Sequence, residues 1–212
     1  MSVYYIGDTH FGHSNILKLC ARPFATVEEM NEALLENWNK RVKANDTVYI
    51  LGDLFYKVKN VSELLSKLKG KKHLILGNHD ASWLEEYTVI ATDEKGEKKK
   101  NTDTLSHKSY RLKENGQDLS LYFCGVYDIL QISDGNVGCI LCHYPLLTWK
   151  HEERLLMIHG HLHNNVSDPF FHHIVENEKM LNAGVELNGY MPVTLCELIQ
   201  NNKKFKESVK GE

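Results

Sequence analysis

Val48-Tyr49-Ile50-Leu51-Gly52-Asp53 is a short apolar run closed by a glycine and an acid. A run this short and this apolar, with Gly as its boundary, predicts a strand buried on both faces, with Asp53 at its carboxyl end. The same plan recurs at Val3-Tyr4-Tyr5-Ile6-Gly7-Asp8 and at His73-Leu74-Ile75-Leu76-Gly77-Asn78. Two later runs, Cys139-Ile140-Leu141-Cys142-His143 and Leu155-Leu156-Met157-Ile158-His159-Gly160-His161, end on histidine instead. Between the first two runs, Thr26 and Glu29 make a capping box, followed by Met30, Leu34, Trp38 and Val42 at helical spacing. That pattern predicts an amphipathic helix over 27–43. A shorter helix over 62–69 buries Leu64, Leu65 and Leu68 and stops at Gly70. Strand–helix alternation of this kind predicts an α/β domain with parallel elements, whose ligands collect at the carboxyl ends of the strands.

The bulk composition sets bounds on this reading. The 212 residues, 42% hydrophobic and 25% charged, suit one globular domain over 1–212 with a core of its own. A formal net charge of -3 supplies no overall basic field, which argues against a dedicated DNA-binding surface and leaves a nucleotide or RNA substrate open. No targeting segment is visible and no apolar run approaches bilayer-spanning length, so no membrane is expected. Five cysteines, an odd number without disulfide-like spacing, favour a reducing cytoplasm. Cys139 and Cys142 form a CxxC, but in a strand their opposite parity sends them to opposite faces. They are expected to be buried thiols, not a redox pair.

The stretch over 92–125 breaks the plan. Glu94-Lys95-Gly96-Glu97-Lys98-Lys99-Lys100 is charged and turn-rich without periodicity. The runs 109–112 and 119–123, with Glu114-Asn115-Gly116 between them, predict a β-hairpin. The whole stretch reads as a surface insertion. Beyond the last histidines, 180–186 and 191–195 read as closing strand and loop material.

The polar residues at the strand ends are the side chains that bind divalent cations: carboxylates, an amide carbonyl and imidazoles. They are Asp8 and His10, Asp53, Asn78 and His79, His143, then His161 and His163. Residues two apart in an extended segment point to one side, so Asp8 and His10 are placed to share a metal. His161 and His163 either share one or serve neighbouring ions. Taken singly, each Asp is an ordinary turn residue and each His an ordinary hydrogen-bonded group. Seven of them as ligands at successive strand ends, with His79 set apart, are another matter. His73, His107, His151, His172 and His173 keep the ordinary reading.

In order, these residues read Asp8-Thr9-His10, Gly52-Asp53, Gly77-Asn78-His79-Asp80, His143 and Gly160-His161-Leu162-His163. This resembles the calcineurin-like metallophosphoesterases, whose motifs are D-x-H, G-D, G-N-H-[DE], H and G-H-x-H. The resemblance runs from near residue 3 to about 165 and lacks no motif residue. It implies a four-layer sandwich of two mixed β-sheets flanked by helices, and two divalent ions, Mn²⁺, Fe or Zn²⁺. Asp8, His10 and His163 would hold one ion, Asn78, His143 and His161 the other, and Asp53 would bridge both. His79 resembles the family's catalytic histidine, which stabilises phosphoryl charge or protonates a leaving oxygen. Asp80 is the expected orienting group for its imidazole. His13 and His159, close to ligands but outside the motifs, are candidates for substrate contact or for supporting a ligand. The implied activity is hydrolysis of phosphate mono- or diesters, with nucleotides among the candidate substrates. A nuclease would need a basic groove, at which only Lys98–Lys100 hints, and a non-catalytic scaffold would be expected to have lost ligands that this chain keeps.

Overall fold

The computed structural model describes residues 1–89 and 107–210. Two four-stranded sheets carry the fold. The first is β1 (Val3–Ile6), β2 (Thr47–Ile50), β3 (Lys71–Ile75) and β6 (Phe123–Tyr127), in that spatial order and all parallel. The second sets β10 (Met180–Asn182), β9 (Leu156–His159) and β8 (Val137–Cys142) in parallel, with β7 (Ile129–Asp134) antiparallel at the edge. The second sheet is therefore mixed as expected. The first becomes mixed only through an antiparallel bridge from Val193 to Tyr5.

Period-two alternation sorts each strand between layers. Tyr4 and Ile6 of β1 turn outward to pack, with Val48, Ile50 and Leu74, against α2 (Val27–Arg41) and α3 (Val61–Lys67). Tyr5 turns inward and meets Leu51, Ile75, Leu141, Ile158 and Leu181 between the two sheets. On the far side Ile140, Met157 and Met180 pack against Trp149 and against Ile174 of α4 (Phe171–Glu176). The layers are thus helix, sheet, sheet, helix. The CxxC splits as its parity requires: Cys139 lies in the inter-sheet layer and Cys142 on the outer face, both as free thiols.

The predicted helices form with small changes at their ends. In α2 the Thr26 hydroxyl accepts from the Glu29 amide at 3.1 Å, and Met30, Leu34 and Trp38 are the buried stripe. Ahead of α2 lies a single short turn, α1 (Ile16–Leu19). A further helix, α5 (Leu195–Lys210), closes the edge of the inter-sheet layer with Leu195 and Leu198.

The hairpin expectation is corrected. Segment 107–112 is β5 (His107–Leu112), and its antiparallel partner is β4 (Leu84–Val89), not 119–123. Glu114-Asn115-Gly116 does reverse the chain, with the Leu112 amide donating to the Gln117 carbonyl at 2.8 Å. The ladder then stops, because Leu119–Leu121 curls into a 3₁₀ turn and Phe123 opens β6 of the main sheet. Nor is 107–125 a surface insertion. Tyr110, Leu112, Leu119 and Phe123 belong to the core under α2 and α3. The Glu114 carboxylate accepts from the Val61 and Ser62 amides, both at 2.8 Å, satisfying donors that open α3. The Lys98–Lys100 run and the rest of 92–106 lie outside the described residues.

Leu112 has no exposed surface, so Leu112→Ala is expected to cost about 2–5 kcal/mol of unfolding free energy in urea titration. A loss below about 0.5 kcal/mol, as at an exposed loop position, would restore the insertion reading.

Candidate metal centre

The two sheets meet where their ligands are. A parallel bridge joins Gly7, just past β1, to Gly184, just past β10, with the Gly7 amide donating to the Ala183 carbonyl at 2.8 Å. That stitch brings the carboxyl ends of both parallel sets together. The loops past β1 and β2 are laced in turn, Asp8 N to Gly52 O at 3.1 Å and His10 N to Asp53 O at 3.0 Å. Five of the seven expected ligands sit in the left-handed backbone region: Asp8 (φ 53°), His10 (50°), Asp53 (54°), His161 (71°) and His163 (51°). Such a conformation costs an ordinary residue about 1–3 kcal/mol and persists only where its surroundings enforce it. Here it turns the side chains away from strand alternation and into one pocket.

Asp53 stands at the middle of that pocket. Its Oδ2 is 3.6 Å from His10 Nε2 and 3.6 Å from His143 Nε2, and its Oδ1 accepts from the His79 amide at 2.8 Å. On one side Asn78 Oδ1 lies 3.0 Å from His143 Nε2 and 3.1 Å from His161 Nδ1. On the other, donor atoms of Asp8, His10 and His163 all lie within 4.8 Å of one another. Both oxygens of Asp8 are 3.0 Å from the His161 amide. The expected ligands are thus brought together, His161 beside Asn78 and His163 beside Asp8.

The donor set fits divalent ions. His10 is buried, yet both of its ring nitrogens lack a hydrogen-bond partner, a costly state for polar atoms without a ligand. Burial also holds the His10 pKa well below its usual value, which keeps the ring neutral with a free lone pair. His143 donates from Nδ1 to the Leu51 carbonyl at 2.7 Å, which leaves Nε2, 3.0 Å from the Asn78 oxygen, as the ring atom free to ligate. Ligands about 2.0–2.1 Å from one ion stand roughly 3 Å apart, which is the spacing of this pair. Burial alone would lower His163, but the Asp8 charge and the Cys20 and Glu186 bonds outweigh it and hold its pKa up at about 11. The carboxylates of the pocket demand positive charge.

The glycines of the motifs make room for these groups. A Cβ on Gly77 would come 2.3 Å from Asp53 Oδ1, and one on Gly160 would come 2.5 Å from Asp8 Oδ2 and 2.9 Å from the Leu51 carbonyl. Gly160→Ala is therefore expected to displace Asp8, weakening metal uptake and lowering stability by about 1–3 kcal/mol. Elemental analysis beside a thermal melt tests this; wild-type metal content would show that the crowding is relieved elsewhere.

His79 differs from the expected ligand His143 in exposure. Its side chain is 39% accessible where that of His143 is 0%, and its ring lies against Tyr56 at the rim. The expectation that Asp80 orients this imidazole is not met. The Asp80 carboxylate accepts from the Asp53, Leu54 and Gly77 amides at 2.8–3.0 Å and from the Trp83 indole at 2.9 Å. It ties the Asp53 loop to the Asn78 loop instead. His13 lines a cleft of about 770 Å³ beside His10, His79 and His163, and its Nδ1 accepts from the Ile16 amide at 2.8 Å. His159 is fully buried; its Nδ1 donates to the Gly160 carbonyl at 2.8 Å, next to His161.

Two residues of the centre were not found by reading the sequence. Arg22 and Glu186, 164 positions apart, form a buried ion pair with Arg22 Nη2 2.7 Å from Glu186 Oε1. Glu186 in turn meets His163 Nδ1 at 3.0 Å. Neither residue lies in a motif or a periodic pattern, so no local signal marks them.

Strand-end carboxylates, amide and imidazoles gathered between two sheets are the arrangement of a known class, and the chain belongs to the calcineurin-like phosphoesterase family, whose model matches residues 1–191. Among curated proteins it is 34% identical over 209 residues to the uncharacterized protein MJ1445 of Methanocaldococcus jannaschii, covering 96% of this chain and 93% of that one. It is 24% identical over 190 residues to the gene 66 protein of Mycobacterium phage D29, covering 78% and 80%. The crystal structure of AQ665 from Aquifex aeolicus, a protein of unknown function, superposes with a TM-score of 0.60 at 27% identity, covering 93% of this chain and 97% of that one.

Proposed function

We propose that this protein hydrolyses phosphate esters, nucleotides among the candidates, through two divalent ions such as Mn²⁺, Fe or Zn²⁺. Asp8, His10 and His163 hold one ion, Asn78, His143 and His161 hold the other, and Asp53 bridges them. The observation that carries this reading is the position of Asp53 Oδ2, 3.6 Å from an imidazole nitrogen of each set. The ions, when bound, acidify a water and offset charge on the phosphoryl oxygens. With only Asp8 and Asp53 as anionic ligands, the set leaves net positive charge for an anionic ester, since Asn78 and the imidazoles ligate without cancelling it. His79 stands at the rim with its backbone held to Asp53 and its ring accessible. From there it donates a proton to the leaving oxygen or stabilises phosphoryl charge. His13, on the cleft wall, is placed to meet the substrate. Among the described residues no helix is long and apolar enough to cross a membrane, and the five free thiols suit a reducing cytoplasm.

A metal-reconstituted screen of mono-, di- and cyclic nucleotide phosphates tests the reading. Hydrolysis restored to the chelator-stripped protein by Mn²⁺, Fe²⁺ or Zn²⁺ is expected. A protein that carries two ions and cleaves none of these esters would overturn it.

A further inference from the structure

In the dinuclear reading, one ion takes its ligands from opposite ends of the chain. Asp8 and His10 follow β1, whereas His163 follows β9. Arg22 spans the gap with one guanidinium. Its Nη2 donates to the Asp8 carbonyl at 2.7 Å and its Nη1 to the Thr9 carbonyl at 2.7 Å. Its Nε and Nη2 donate to Glu186 Oε1 at 3.0 and 2.7 Å, and that same oxygen lies 3.0 Å from His163 Nδ1. We infer that the Arg22–Glu186 pair is a positioning strut for one metal of the centre, setting the Asp8–His10 turn and the His163 ring against each other.

Three observations support the strut. The two side chains are 0% and 2% exposed, and burying an ion pair is expensive enough that stability alone is a poor reason to keep one. With Nδ1 committed to Glu186, His163 has Nε2 left for the ion, the outer-shell device that fixes tautomer and ring direction in metal sites. The rest of His163 is held as well, since its carbonyl accepts from the Asn182 amide group at 2.8 Å. The second trio is built differently. His143 takes its outer partner from the Leu51 carbonyl at 2.7 Å, and His161 and Asn78 meet neither Arg22 nor Glu186 among their hydrogen-bond partners. Cys20 Sγ lies near His163 and Glu186, but the Arg22 guanidinium already supplies positive charge at that carboxylate. The strut therefore serves one metal and not the other.

This inference rests on the dinuclear reading, and one titration separates the two. Chelator-stripped full-length wild type, Glu186→Gln and Arg22→Lys are titrated with Mn²⁺ by calorimetry, and the spin coupling of the bound ions is followed by electron paramagnetic resonance. Glu186→Gln keeps the shape but loses the charge, and Arg22→Lys keeps the charge but loses the fork. Wild type is expected to take up two coupled ions. Both variants are expected to bind one ion with the wild-type constant and the other about 10–100-fold more weakly. At limiting Mn²⁺ the spectrum should be that of an isolated ion. Leu65→Ala, on the buried face of α3, is the control for general destabilisation and should lower Tm while keeping both constants. If Glu186→Gln binds both ions as wild type does, or loses both alike, the strut is refuted and the dinuclear reading stands. If wild type itself takes up fewer than two ions, the dinuclear reading falls and the strut with it.

Discussion

Asp53→Asn is expected to lower phosphoester hydrolysis by roughly 10³-fold or more and to release at least one of the two ions. The substitution preserves volume, and an amide oxygen remains to accept from the His79 amide, a bond of 2.8 Å in the wild type. What disappears is the negative charge between the imidazoles of His10 and His143. Two cations bridged by a neutral amide repel each other with less compensation, so affinity and the acidity of the water fall together. Asp53 is also almost fully buried, and the cost of the buried carboxylate is relieved in the variant. Its Tm without metal should therefore not fall. Elemental analysis, a steady-state assay and a melt together decide the matter. Full activity with two ions bound would remove Asp53 from the bridge.

His79→Ala has the second largest expected effect, and its pattern matters more than its size. If the imidazole protonates the departing oxygen, the variant keeps both ions and loses about 10²–10⁴-fold on an alkyl phosphate. A nitrophenyl ester, whose leaving group departs with little help, should lose visibly less. His143→Ala and His161→Ala remove the imidazoles beside the Asn78 oxygen, the proposed ligands of one ion, so both should weaken that ion and slow the two substrates alike. Should His79→Ala lose an ion, the residue is a ligand. Equal slowing of both substrates would leave it only a general electrostatic role. The 39% exposure of His79 favours the first pattern, because a proton donor must reach the substrate whereas His143, at 0%, need not.

Much of the centre could be read because its residues are tied to local pattern. An apolar run announces a strand, and its last polar residue marks the carboxyl end. Hence Asp8, Asp53, Asn78, His143 and His161 could be placed at one edge of the sheets before any coordinates. The capping box of α2 and the opposite parity of Cys139 and Cys142 are likewise properties of a few consecutive residues. Helix α5 escaped notice for the converse reason. Its buried stripe runs Leu195, Leu198, Asn202 and Lys206, and the two polar members blur the apolar period. Both find partners outside the helix: Asn202 bonds the Asn182 backbone besides the Leu198 carbonyl of its own helix, and Lys206 donates to the Asn177 and Met180 carbonyls at 2.7 and 2.6 Å.

The sequence by itself determined the buried stripe of α2, where the strands before Asp8, Asp53, Asn78, His143 and His161 end and which side-chain types stand there, because these follow from periodicity and side-chain chemistry within short windows. The tertiary structure alone decided that β5 pairs with β4 and not with the segment beyond its own turn. It alone decided that Asp80 serves the Asp53 and Gly77 amides and that Arg22 meets Glu186 across 164 positions. It also imposed the left-handed turns at Asp8, His10, Asp53, His161 and His163. Such choices are settled by which surfaces and polar groups meet after the sheets have closed, where a buried carboxylate or strand edge takes the nearest satisfying partner, and no local pattern encodes who that partner is.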